Sequence, residues 1–229
     1  MKKMYPIAQG LVAIVLSLTA VQETSAQNES AETSILQKVA NAHGFENWKD
    51  VTTLKFTFNV DRGSDHFERS WVWNTDTNDI TMTTAEDSLT YNRNDLQKGD
   101  STVQKADAHF INDKFWLLAP YQLVWNANNI EHEHTAEATA PISDETMQKL
   151  TIVYSSEGGY TPGDAYDFYF GDDLIVREWV YRKGNQKEAS VTSTWEGYED
   201  FKGLKIATMH KNADGNSKLH FTGIEVLTE

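Results

Sequence analysis

The sequence predicts a mainly β domain of the α+β class, and three observations carry that reading. Short runs of alternating apolar and polar residues recur between Val51 and Leu227. Polar turn residues, not helices, separate most of them. Helical spacing is confined to one stretch near the start, and a single dense apolar segment interrupts the middle of the chain. Strand after strand joined by short turns means antiparallel pairing, because parallel strands need crossovers of about a dozen residues or more.

The helix comes first. From about Ser30 to His43, Ile35, Leu36, Val39 and Ala42 recur at helical spacing, Glu32 sits in the first turn and Gly44 offers a stop. From Val51 the period becomes two, with Leu54, Phe56, Phe58 and Val60 on one face and Thr53, Lys55, Thr57 and Asn59 on the other. Similar runs follow at His66–Asn74, Asp79–Thr84, Asp87–Asn92 and Leu150–Ser155. Tyr166–Phe170 and Leu174–Arg182 flank Gly171, Asp172 and Asp173, a hairpin signal. Ala189–Tyr198, Gly203–Lys211 and Lys218–Leu227 close the chain. The count implies one sheet system of roughly nine to eleven strands, too wide to stay flat without exposing an apolar face.

Asp107–Ala127 breaks the alternation. Phe110, Ile111, Phe115, Trp116, Leu117, Leu118, Tyr121, Leu123, Val124 and Trp125 are too dense for a strand with one wet face, and Pro120 is expected to interrupt any long helix. The segment reads as an irregular or helical plug.

The N-terminus has its own logic. Lys2 and Lys3 precede an apolar run from Leu11 to Ala20, and Thr24 and Ala26 flank Ser25, the order of a cleavable secretory signal. The run is too short for a bilayer core of ~30 Å. The expectation is a signal peptide over 1–26 and one mature domain over 27–229, monomeric, periplasmic or secreted, with no transmembrane segment after cleavage. With no cysteine in the chain, a lipid-modified N-terminus, disulfides and thiolate chemistry are all ruled out. Thirty-four acidic against twenty Lys and Arg residues give a formal charge of −14, a field that repels nucleic acid and anionic lipid surfaces.

Three blocks of sequence carry a resemblance. VANAHGFENWKDVTTLKFTF (Val39–Phe58), HFINDKFWLLAPYQL (His109–Leu123) and GGYTPGDAYDFYF (Gly158–Phe170) together resemble a group of exported proteins common in Bacteroidetes, and through them the LolA/LppX-type lipoprotein carriers. That resemblance implies a curved, unclosed antiparallel half-barrel whose concave side holds the helix, the plug and an apolar cavity for acyl chains. It does not say which arginine takes the lid-locking role such carriers use.

Residue chemistry elsewhere is sparse. Glu131-His132-Glu133-His134 would place His132 and His134 on one face of a strand, but Glu137 falls on the opposite parity and no third ligand follows, so no metal is expected. Asp172 and Asp173 suit a turn, and Asn74–Asp79 lacks the glycine and terminal glutamate of a calcium loop. Ser155 to Gly159 is no nucleophile elbow. Neither a cofactor nor enzyme activity is expected. The remaining signal is aromatic: Phe56, Phe58, Trp71, Trp73, Phe115, Trp116 and Trp179 are the expected lining of a concave site for one hydrophobic small molecule or acyl chain. An envelope protein-interaction module without ligand, and a hydrolase built from scattered carboxylates and histidines, are the alternatives.

The exported protein should begin at Gln27. Intact mass of purified mature material checks this, and a species that starts before Val21 or carries a lipid contradicts it.

Overall fold

The computed structural model describes residues 33–157 and 160–229. The expected signal peptide, and Ser30 and Glu32 of the expected helix, lie outside them. Helix α1 spans Ile35–Ala42, because the Ser34 hydroxyl accepts the amide of Gln37 and so ends the helix at that point. Gly44 stops the other end at φ 85°, where a side chain would also collide with the Gly203 carbonyl at 1.9 Å.

The strands are β1 Val51–Arg62, β2 Asp65–Asn74, β3 Asp79–Thr83, β4 Ser88–Asn92, β5 Ile130–Thr139, β6 Thr146–Tyr154, β7 Ala165–Phe170, β8 Val176–Arg182, β9 Val191–Thr194, β10 Glu196–Phe201, β11 Leu204–Lys211 and β12 Ser217–Thr228. All pairings are antiparallel. They form an open seven-stranded sheet, β10-β11-β12-β1-β2-β3-β4, and an open five-stranded sheet, β5-β6-β7-β8-β9. Only Trp195 separates β9 from β10, so one run of chain leaves the β8 ladder and joins the β11 ladder. A bridge from Ser193 to Asn212 closes the seam. The twelve strands among the described residues exceed the expected range for two reasons: Trp195 splits one run, and β5 is polar on both faces, so it shows no alternation to count.

Helix α2, Ser101–Trp125, is the larger departure from expectation. Asp100 caps it through the amides of Thr102 and Val103 at 2.9 and 3.1 Å. Pro120 bends the helix instead of ending it. Leu118 takes φ −127° and ψ 27°, where the proline ring and its missing N–H disturb the preceding turn, and the helix then resumes to Trp125. Burial on two sides holds it together. Phe110, Leu117, Leu118 and Tyr121 pack with Leu54, Phe56, Trp71 and Trp73 of the seven-stranded sheet. Ala119 and Leu123 pack with Leu150, Phe168 and Trp179 of the five-stranded sheet, and Trp116 touches both clusters.

Two buried histidines tie these layers together. At the end of α1, His43 meets the Val39 carbonyl through Nδ1 at 2.8 Å and accepts from the Val176 amide at 3.4 Å, while its own carbonyl accepts from Tyr121 Oη at 2.6 Å. His210 of β11 is held by the Thr194 carbonyl at 3.2 Å and by the ring of Trp195 at 4.5 Å. Burial lowers His43 to about 4 and His210 to about 3.

Both imidazoles are therefore neutral in the folded protein, whereas the unfolded chain takes up protons near an ordinary pKa of about 6.5. Their contribution to stability is complete above that value and falls as pH drops through it. Exposed His66, raised by its bond to Asp61, works weakly in the opposite direction. Urea denaturation at pH 7.5 and 5.0 should show a loss of roughly 2 kcal/mol for each buried imidazole, smaller in His43→Gln and His210→Gln. A flat profile contradicts this.

Candidate functional site

α2 does not fill the concave side completely. Two pockets of about 630 and 610 Å³ lie along it and share Asn112, Trp116 and Val191. An aromatic wall bounds the first. Phe115 meets Tyr166 at 4.7 Å between ring centroids, Trp116 meets Trp179 at 4.5 Å, and Tyr154 and Tyr181 continue the surface. The second is bounded by Phe58, Val60, Phe67, Leu219 and His210. Three large apolar side chains that remain exposed lie at these rims, Phe67 at 47%, Tyr160 at 49% and Val191 at 38%.

Of the residues expected to line a site, Phe115, Trp116 and Trp179 meet in the first pocket, and Phe58 and Trp116 in the second. Phe56, Trp71 and Trp73 share the concave face of the seven-stranded sheet but are buried in the cluster under α2. Strand parity decides which face a side chain takes, and the helix decides how much of that face is covered.

α2 also carries charge into the interior. Asp113 is fully buried and receives Arg69 Nε and Nη2 at 2.8 and 2.9 Å, with Trp71 Nε1 at 2.8 Å. Arg69 lies 5.1 Å from the Phe67 ring centroid and 5.7 Å from those of Phe58 and Trp71. Asp107, equally buried, receives Arg93 Nε at 2.8 Å, Tyr91 Oη at 3.1 Å and the Tyr160 hydroxyl, which ties the loop after β6 to the helix. Lys114 completes the set. Burial, and then repulsion from Arg93, lowers it to about 8 against the pull of Asp107.

Sequence reasoning singled out none of these charges. A usable signal existed, since Asp107, Asp113 and Lys114 stand inside the densest apolar segment of the chain. His132 and His134 project from β5, an exposed edge strand. His134 meets Gln148 Oε1 at 3.0 Å, and among the described residues no three His, Asp or Glu side chains gather into a metal site. The Asn74 side chain accepts the amides of Asp76 and Thr77, so the Asn74–Asp79 oxygens serve a turn. Among the described residues no helix is long and apolar enough to cross a membrane.

Fold and site together define an open, curved antiparallel β protein with a helix-filled, pocketed concave side. No protein-family model matches the sequence, and no curated protein matches it. Among solved structures the chain is similar to a DUF1329 family protein from Desulfovibrio piger, at 10% identity over 85% of this chain and 94% of that one, with a TM-score of 0.46. It is similar to a LolA superfamily protein from Nitrosomonas europaea at 10% identity, 85% and 93% coverage and a TM-score of 0.45. It is also similar to an outer membrane lipoprotein-sorting protein domain from Vibrio parahaemolyticus, at 9% identity, 85% and 91% coverage and a TM-score of 0.47. Overlaps this loose transfer no residue role, so the pockets must be understood from their own side chains.

Removing one member of the inner ion pair should be severe. Arg69→Met leaves the Asp113 carboxylate buried without its cation, and chemical denaturation should show a loss of roughly 3–5 kcal/mol, much of it recovered in the Arg69→Met, Asp113→Leu double variant. A loss under about 1 kcal/mol, the range of exposed pairs, would mean that the pair is not buried as described.

Proposed function

We propose that the protein is an exported carrier or sensor that binds one hydrophobic ligand, an acyl chain or lipid, in the concave side. The observation that supports this is the adjoining pair of pockets of about 630 and 610 Å³ on either side of Trp116, each within the ~300–1,000 Å³ usual for small-molecule sites. In this reading Phe58, Phe115, Trp116 and Trp179 touch the ligand, and Phe56, Trp71 and Trp73 back them from beneath α2. The resemblance of three sequence blocks to LolA/LppX-type carriers points the same way and makes a lipoprotein's acyl chains one candidate cargo. The formal charge of −14 favours ligand exchange with a protein partner over docking on an anionic membrane.

Titration of delipidated protein with a lysophospholipid series, read by tryptophan fluorescence, tests the proposal. Affinity should rise roughly fourfold per added methylene, following the ~0.8 kcal/mol that each contributes on burial. Trp116→Asp should weaken binding across the series. Failure to bind any amphiphile, together with a lipid-free extract of the purified protein by mass spectrometry, removes the carrier reading and leaves the interaction-module alternative.

A further inference from the structure

Among the described residues, the first pocket holds a buried cation with no counter-ion. Lys114 is 8% exposed, lines that pocket and forms no ion pair or hydrogen bond among the described residues. Both carboxylates that α2 buries are already engaged, Asp113 by Arg69 and Asp107 by Arg93. The Lys114 ammonium instead lies 5.2 Å from the ring centroid of Trp73, 5.5 Å from that of Trp125 and 5.7 Å from that of Phe110. Such contacts return about 0.5–2 kcal/mol, less than the several kcal/mol of removing an ammonium from water. A lysine this buried is rare unless something pairs with it.

We propose that Lys114 is the counter-charge for the ligand's head group, and that the ligand is a monoanionic amphiphile: a long-chain carboxylate seated on the Lys114 ammonium, its chain running along Trp116 and Trp179. This rests on the concave side being a hydrophobic ligand site. The single charge follows from the surroundings, because Arg93 is neutralised by Asp107 and exposed Glu157 lines the same pocket. A dianionic head would meet that carboxylate, and the overall charge of −14, with Lys114 as the one unpaired cation among the described residues of this pocket. Gln122, which also lines the pocket and whose Oε1 is held by Asn126 Nδ2 at 3.0 Å, can donate from Nε2 to the second carboxylate oxygen.

The test compares hexadecanoate, hexadecanol and hexadecyl phosphate on delipidated wild type, Lys114→Met and Lys114→Gln. Wild type should prefer the acid to the alcohol by roughly tenfold to a hundredfold, the range for losing a hydrogen bond to a charged group, and that ratio should fall toward one in both variants. The wild-type ratio decides even if a variant does not fold: equal binding of acid and alcohol overturns the proposal and leaves the hydrophobic site standing. A preference that survives in a folded variant overturns Lys114 as the counter-charge, and tighter binding of the phosphate overturns the monoanion. Binding of none of the three overturns the hydrophobic-site reading itself.

Discussion

The bidentate pair between Arg69 and Asp113 fixes how α2 lies across the seven-stranded sheet, and the pockets depend on where α2 lies. A helix apolar on most of its surface could rotate or slide among packings of nearly equal energy. A buried carboxylate that needs a guanidinium and the Trp71 indole at once is satisfied in one place. Compared with an apolar replacement, such a pair adds little net stability, so its contribution here is positional. Asp107 repeats the arrangement six residues earlier, about 9 Å along the axis, where Arg93, Tyr91 and Tyr160 converge. Two anchored points set both the height and the rotation of the helix.

From that placement the division of the concave face follows. The helix covers Phe56, Trp71 and Trp73, and it leaves space beside Phe115, Trp116, Tyr166 and Trp179, and beside Phe58 and His210, which line the second pocket. Trp116 belongs to both clusters and both pockets, so a single side chain forms part of both walls.

How much of this was legible in the sequence depends on the range of the forces involved. Period-two alternation placed Leu54, Phe56 and Phe58 on one face, and their cross-strand partners are Trp73, Trp71 and Arg69 on that same face. Helical spacing and Gly44 located α1, although the Ser34 cap shortens it. What stayed hidden had no local pattern. β5 is an edge strand polar on both sides, α2 lost its periodicity because it is buried on two sides, and Arg69 and Asp113 are 44 residues apart. The covering of Phe56 beneath α2 is decided by that distant pair, so no reading of β1 alone could separate it from Phe58.

The polar atoms that the fold leaves unsatisfied argue that the concave side is shaped for more than stability. Among the described residues, Trp73 Nε1, Trp179 Nε1, Trp195 Nε1 and His210 Nε2 are buried without a hydrogen-bond partner. Each such atom carries a penalty of about 1–3 kcal/mol, and native interiors hold few of them. Trp179 and His210 line the two pockets, Trp195 meets both edge-on at 5.4 and 4.5 Å between centroids, and Trp73 is the ring nearest the Lys114 ammonium. A core selected for packing alone would carry leucine or phenylalanine at these positions, as α2 does at Leu117 and Phe110. Departures from satisfied chemistry gather where a protein does something besides fold, and two of these four belong to residues that line the volumes α2 leaves open.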